Sequence, residues 1–211
     1  MNLRKLRVLI TAGPTWVAID NVRVISNIAT GETGKILAEK LASMGAKVTL
    51  LIGPGDLCCL KKNIRLIRFK FFEELKNKLQ AELKKHDYQC LIHAAAVSDY
   101  KPRNSCRGKI SSKLKELRID LVPTQKLIDQ IKQVRPKLTL VGFKFEPNAA
   151  KAKLINEAKQ LIKRSKADLI VANTVTGGKY RAYLLKQDDI LGPFKSKKEI
   201  CRKLIKLIGD Y

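Results

Sequence analysis

A short β-branched run, Val8-Leu9-Ile10, is stopped by Gly13-Pro14, and no helical pattern begins until after Thr33-Gly34. The run is too short for a helix and suits a buried strand, with the glycine–proline pair ending it. In the long segment between, Arg23 and Asn27 stand among apolar neighbours, and Thr30-Gly31 then Thr33-Gly34 lead into the helix. Small residues at a helix start let backbone N–H groups approach an anion, and the helix dipole favours negative charge there. This predicts a phosphate-bearing ligand over the end of the first strand. The competing reading is that the glycines only turn the chain and Thr33 only caps the helix. A dinucleotide fingerprint would put G-x-G-x-x-G in the tight turn directly after the strand; here the paired glycines follow Asn27.

Downstream, strand and helix patterns alternate. Residues 35–44 carry an apolar face and stop at Gly45, residues 47–52 and 64–69 read as strands, and Phe72, Leu75, Leu79 and Leu83 recur at helical spacing. Residues 88–97 form an apolar run ending in three alanines, where small side chains leave room for a flat ligand beyond a strand end. His93 inside this run reads as a core histidine, and His86 as a helix-surface one. Residues 104–112 read as a mobile loop carrying Lys109. A strand is expected where Leu117, Ile119 and Leu121 alternate with charged residues, and a short helix at Leu127, Ile128 and Ile131. Residues 138–145 read as a strand whose Gly142 marks a close approach of backbone or ligand. Asn148 is expected to cap a basic helix reaching Lys166. A buried strand ends at Asn173, residues 180–185 and 188–191 form an antiparallel ribbon, and Ser196 caps a final helix. Such alternation predicts an α/β fold with a mainly parallel sheet and helices on both faces. No repeat, low-complexity segment or boundary interrupts it, so residues 1–211 read as one domain.

The formal charge of +24 over 211 residues favours anionic partners: nucleic acid, anionic membrane or phosphorylated small molecules. The lysines are spread over nearly every helix, as on solvated helix faces. No apolar stretch is long enough to span a membrane. Charges interrupt the apolar part of the N-terminus, which argues against a signal peptide. Five cysteines without a C-x-x-C pair argue for reduced thiols in a cytoplasmic protein, with Cys90 in the core.

Several segments, taken together and in order, resemble one family, the phosphopantothenoylcysteine synthetases, amide ligases of coenzyme A synthesis. They are TAGPT (residues 11–15), IDNVRVISN (19–27), TGETG (30–34), HAAAVSDYKP (93–102), KISS (109–112), GFK (142–144) and ADLIVAN (167–173). The short chain and its KISS motif resemble the standalone bacterial form, which implies no decarboxylase and no flavin. The resemblance implies a Rossmann-like fold and a homodimer joined partly through the ribbon near residues 180–191. It implies that a nucleoside triphosphate, CTP in most bacterial members, activates the carboxylate of 4′-phosphopantothenate, and that L-cysteine then displaces the nucleotide.

In those roles the residues make chemical sense. Lys109 would stabilise charge on the departing pyrophosphate. Asn27 would hold the acyl carbonyl, and Arg23 would brace the loop or meet the substrate phosphate. Thr30, Gly31 and Gly34 would surround that phosphate. Gly13, Ala95, Ala96 and Asp99 would line the nucleotide pocket, Phe143 would pack on the nucleotide, and Lys159 and Lys163 would reach the triphosphate. Mg²⁺ is expected with the triphosphate, held by phosphate oxygens and water rather than by a protein cage. Gln125-Lys126 and Thr174 depart from the family pattern, which bears on CTP against ATP. Two other classes compete. An NAD(P) oxidoreductase would need a glycine turn right after the first strand. A nucleic-acid-binding protein would need stacking aromatics beside its basic residues, and the few aromatics (6%) lie mostly in apolar patterns.

Overall fold

At the centre of the molecule lies β1 (Arg7–Ala12), hydrogen-bonded in parallel to β4 (Lys47–Ile52) on one side and to β6 (Cys90–His93) on the other. The structure, a computed structural model, describes residues 6–55, 63–187 and 189–209. Beyond β4 lies β5 (Ile64–Arg68); beyond β6 lie β9 (Thr139–Phe145) and β10 (Leu169–Thr176), all parallel. Antiparallel strands β11 (Lys179–Lys186) and β12 (Asp189–Phe194) complete a sheet of order β12-β11-β10-β9-β6-β1-β4-β5. Numbered among themselves, the six parallel strands run 3-2-1-4-5-6, the Rossmann order. The ribbon predicted near 180–191 is therefore one edge of the main sheet; Asp188 lies outside the described residues.

Helices cover both faces, and strict alternation along β1 decides which side chain meets which layer. Val8, Ile10 and Ala12 pack with α1 (Glu32–Ser43) and α5 (Lys197–Gly209), whereas Leu9 packs with α2 (Phe72–Lys85), α3 (Leu127–Val134) and α4 (Lys151–Ser165). Leu37 and Leu41 of α1 are fully buried, each contributing roughly 1.5–3 kcal/mol. Ser196 accepts from the Glu199 N–H at 3.1 Å and the Glu199 carboxylate accepts from the Lys195 N–H at 2.8 Å, so α5 begins where predicted. Cys90 and Cys201 are buried free thiols, with burial raising both pKa values. Cys58 and Cys59 lie outside the described residues.

Four expectations are corrected. The alternation at 117–121 does not form a strand there: only β8 (Leu121–Pro123) forms, pairing with β7 (Tyr100–Pro102), and Leu117 and Leu121 stay 45% and 44% exposed. An alternating segment without a partner strand cannot satisfy its backbone groups as a ladder. Asn148 does not cap α4; it adopts φ 56°, and the N-cap is Ala150 with no side-chain bond. Gly142 marks approach by side chains rather than ligand: a Cβ there would lie 2.6 Å from Ile170 Cδ1 and 2.7 Å from Ile128 Cδ1. His86 lies one residue past the last turn, as the C-cap of α2 rather than on the helix itself, in contact with Arg7 and Arg65.

Candidate functional site

The strand order reverses between β1 and β6, and the loops that leave their carboxyl ends are stitched together. The Ala96 N–H donates to Gly13 O at 2.9 Å and the Thr15 N–H to Ala96 O at 3.3 Å. The Ser98 N–H donates to Thr15 Oγ1 at 2.9 Å, and the Thr124 hydroxyl donates to Ser98 O. Above them opens a cleft of about 1010 Å³, where open α/β sheets place ligands.

One wall is the start of α1. Gly31 is its N-cap at φ 75°, a left-handed conformation that glycine adopts without a Cβ penalty; it has no side chain to cap with, and the Thr30 hydroxyl accepts from the Glu32 N–H at 3.3 Å. Thr33 therefore lies inside the first turn and is not the cap. Gly34 sits so close to β1 that an added Cβ would lie 2.3 Å from Ala12 Cβ. Residues 30–34 all line the cleft, and a helix start on a cleft wall suits an anion.

A second wall is the arm that follows the hairpin β2 (Trp16–Ala18) and β3 (Val24–Ser26). It carries Asn27, whose Nδ2 donates to Ala96 O and Val97 O, both at 3.2 Å. The amide thus ties the arm to the β6 loop. Opposite lie Phe143, Lys144 and Glu146 of the β9 end, Asn173 of β10, and Glu157, Gln160 and Arg164 of α4. Phe143 also packs against the α1/α5 core. His93 lies on the floor, bonded to Thr11 Oγ1 at 2.9 Å; burial pushes its pKa down to about 4, so it is neutral near pH 7.

The cleft is close to charge balance even though the chain is strongly basic. Lys126 pairs with Asp99 at 2.5 Å, Lys197 with Glu32 at 2.5 Å, and Arg164 with Asp129 at 2.9 Å. Lys144 lies between Glu146 at 2.8 Å and Glu157 at 3.3 Å. Partial burial works against charge on Lys144, but the two carboxylates outweigh it and raise its pKa. Among the described residues no group of three or more His, Cys, Asp or Glu could hold a metal.

The cleft gathers Gly13, Asn27, Thr30, Gly31, Gly34, Ala95, Ala96, Asp99 and Phe143 from the residues named in the sequence. It leaves out four. Lys159 and Lys163 lie on the exposed side of α4, one position from Gln160 and Arg164, which do line it. Arg23 turns away: its Nη1 donates to Asp20 Oδ2 at 2.9 Å and to Ile110 O at 3.2 Å, the bracing alternative. Lys109 is exposed and off the cleft wall. Its loop is not free, being hydrogen-bonded to the β2–β3 turn at residues 106, 108 and 110. Of the departures from pattern, Gln125 and Lys126 line the cleft, whereas Thr174 is buried with its hydroxyl accepting from the Ala149 N–H.

Sequence reading missed Asp20. Its carboxylate, with no exposed side-chain surface, accepts from the N–H groups of Val22 (2.8 Å), Arg23 (2.7 Å) and Ile110 (3.0 Å) as well as from the Arg23 guanidinium. Burial alone would raise its pKa, but those donors outweigh burial and hold it below the ordinary carboxylate value. The signal available was an acidic residue three before an arginine in a turn.

A family described as the DNA/pantothenate metabolism flavoprotein C-terminal domain matches residues 3–211. The coenzyme A biosynthesis bifunctional protein CoaBC of Thermococcus kodakarensis is 38% identical over 174 residues, 82% of this chain and 42% of that protein. The chain spans about half the length of the curated relatives it matches. Among solved structures, the DNA/pantothenate metabolism flavoprotein of Streptococcus pneumoniae is similar at TM-score 0.87 and 30% identity, covering 98% of this chain and 99% of that one. The C-terminal domain of a CoaBC protein is similar at TM-score 0.79 and 25% identity, covering 99% and 96%.

Proposed function

The chain belongs to the DNA/pantothenate metabolism flavoprotein C-terminal domain family, and from that premise we propose that it is a ligase joining 4′-phosphopantothenate to L-cysteine. The observation that carries the reading is the meeting, in one cleft at the switch point, of a glycine-capped helix start suited to a phosphate and the Asn27 arm. A carboxylate oxygen of the pantothenate attacks the α-phosphorus of the triphosphate, the bond to the bridging oxygen breaks, and pyrophosphate leaves. The cysteine amine then attacks the acyl carbon and loses a proton, and the nucleoside monophosphate departs.

Two anions must approach in line, so cations have to offset their repulsion. The cleft's own cations are matched by carboxylates, so Lys109 is the one assigned to the leaving pyrophosphate. Gly13, Ala95, Ala96, Asp99 and Phe143 are assigned to the nucleotide, and Thr30, Gly31 and Gly34 to the pantothenate phosphate. Lys159 and Lys163 fit only a triphosphate tail extending past the rim of α4. Asn27 reaches an acyl carbonyl by giving up one of its two backbone bonds. Mg²⁺, in this reading, enters with the triphosphate and keeps phosphate and water oxygens. CTP is the assigned co-substrate.

A homodimer joined partly through the β11–β12 ribbon is part of the proposal, since β12 forms an edge of the main sheet. In that ribbon β11 is hydrogen-bonded on both sides, but among the described residues β12 pairs with β11 alone and Ile190 on it is exposed. Sedimentation equilibrium tests the dimer. The activity is tested by incubating the protein with 4′-phosphopantothenate, cysteine, Mg²⁺ and each triphosphate in turn. Pyrophosphate release that requires the pantothenate acid is expected, fastest with CTP; release independent of the acid, or none with any triphosphate, overturns the reading. The NAD(P) alternative has no support in the connection after β1, which enters a hairpin rather than a tight turn into a helix.

A further inference from the structure

The segment that carries Lys109 and the arm that carries Asn27 come from chain regions about eighty residues apart, yet they are fastened at one point. Two backbone bonds and one to a side-chain carboxylate join them. The Cys106 N–H donates to Ile19 O at 3.0 Å, the Asn21 N–H donates to Gly108 O at 3.1 Å, and the Ile110 N–H donates to Asp20 Oδ2 at 3.0 Å. The peptide units on both sides of Lys109 are thereby held by the β2–β3 turn. The same turn continues through β3 into Asn27, which is bonded in turn to Ala96 and Val97.

The two carboxylate oxygens of Asp20 divide the work. Oδ1 accepts the N–H groups of Val22 and Arg23 and so closes the turn itself. Oδ2 accepts the Ile110 N–H and the Arg23 guanidinium, which also donates to Ile110 O. One oxygen builds the hairpin, and the other clamps the lysine segment to it. An ionised acceptor is suited to this task because hydrogen bonds to charged groups are about twice as strong as neutral ones.

We infer that Asp20 is a positioning residue: its buried carboxylate clamps the Lys109 segment to the hairpin that delivers Asn27, so that the two residues move as one body. The inference rests on the ligase reading for its catalytic consequence, but the clamp itself is a property of the fold. Movement of Lys109 toward the cleft is then movement of the whole hairpin, not of a free loop.

Asp20→Asn separates the two tasks. The amide can keep its oxygen toward Val22 and Arg23, which puts its NH₂ against the Ile110 N–H and the Arg23 guanidinium, donor against donor. Hydrogen exchange of the Ile110 amide reads the clamp without reference to activity. It should quicken by roughly tenfold to a hundredfold, the loss of one hydrogen bond to a charged group, while the Val22 amide changes little. Acid-dependent pyrophosphate release should fall at least ~10-fold, because a misplaced cation loses its hold on the leaving group. In a Lys109→Gln background the same substitution should cost less than ~3-fold, since residues acting through one another are non-additive. A merely structural defect would multiply through both backgrounds.

Unchanged Ile110 exchange in Asp20→Asn overturns the clamp. Faster exchange with additive losses of activity overturns its action through Lys109. Should the unaltered protein release no pyrophosphate with any triphosphate, the ligase reading fails, and the exchange measurement still decides the clamp. Asp20→Ala, which removes both oxygens, is expected to expose the Val22 and Ile110 amides together.

Discussion

Gly34→Ala tests whether the helix start is held against the first strand as tightly as its geometry requires. The new Cβ would stand 2.3 Å from the Ala12 Cβ, whereas carbon atoms in contact are about 3.5–4.0 Å apart. Ala12 is fully buried and has no rotamer by which to withdraw, so backbone must separate by more than about 1 Å. Two effects oppose each other. Replacing glycine in a helix interior gains at most ~1 kcal/mol, and less here because Gly34 lies in the first turn. Overpacking costs about 1–3 kcal/mol, and a contact between two backbone-borne carbons belongs at the upper end. The clash wins by roughly 2 kcal/mol, which for a chain of this size lowers Tm by about 4–8 °C. The displaced helix start should also weaken capture of the phosphorylated acid, raising its KM about tenfold, the equivalent of one charge-assisted hydrogen bond. Thermal melting by circular dichroism and pyrophosphate-release kinetics read the two effects. Adding Ala12→Gly removes the opposing carbon and should restore most of the Tm. A Gly34→Ala protein melting within ~1 °C of the original refutes the reasoning. So does a double variant no better than the sum of the singles.

Lys109→Gln should slow the first half-reaction at least ~100-fold, as loss of an electrostatic donor to developing charge does, with Tm nearly unchanged; full activity would remove Lys109 from the mechanism. Asn27→Asp should let the acyl-nucleotide form and then persist, because a carboxylate repels the oxyanion that cysteine attack creates; rapid quench with radiolabelled CTP detects it, and normal turnover would leave Asn27 only its bonds to Ala96 and Val97. Tyr88 donates to Glu82 at 2.5 Å, and burial together with that carboxylate pushes its pKa up to about 12. Because the folded value lies above the unfolded one of about 10, its contribution is full below that value and is lost as pH rises toward the folded value. Denaturant titrations from pH 9 to 12 should show that slope, and Tyr88→Phe should flatten it; an equal slope in both proteins would refute the assignment.

Periodicity along the chain made the elements legible. The β-branched runs at β1, β4 and β10 and the apolar stripes of α1, α2 and α5 are local patterns, because each element buries one face and the repeat of that face is written in consecutive residues. The motifs that carried the family resemblance were legible for a related reason: a left-handed turn or a close backbone approach needs glycine at particular positions, as Gly31 and Gly34 show. Alternation alone misled at 117–121, since a strand exists only where a partner accepts its backbone bonds.

Tertiary structure alone decided which distant residues became neighbours. Gly13 meets Ala96 because β1 and β6 are adjacent in a sheet whose order no local pattern encodes. The rotation of α4 is set by the stripe it buries, Leu154, Ile155, Ala158 and Leu161; that choice turns Gln160 and Arg164 to the cleft and leaves Lys159 and Lys163 outside. Asp20 escaped the sequence reading because one of its partners, the Ile110 N–H, lies ninety residues away. A buried carboxylate can be recognised only once the chain that brings its donors has folded over it, since the cost of burying the charge is offset by bonds from outside its own segment.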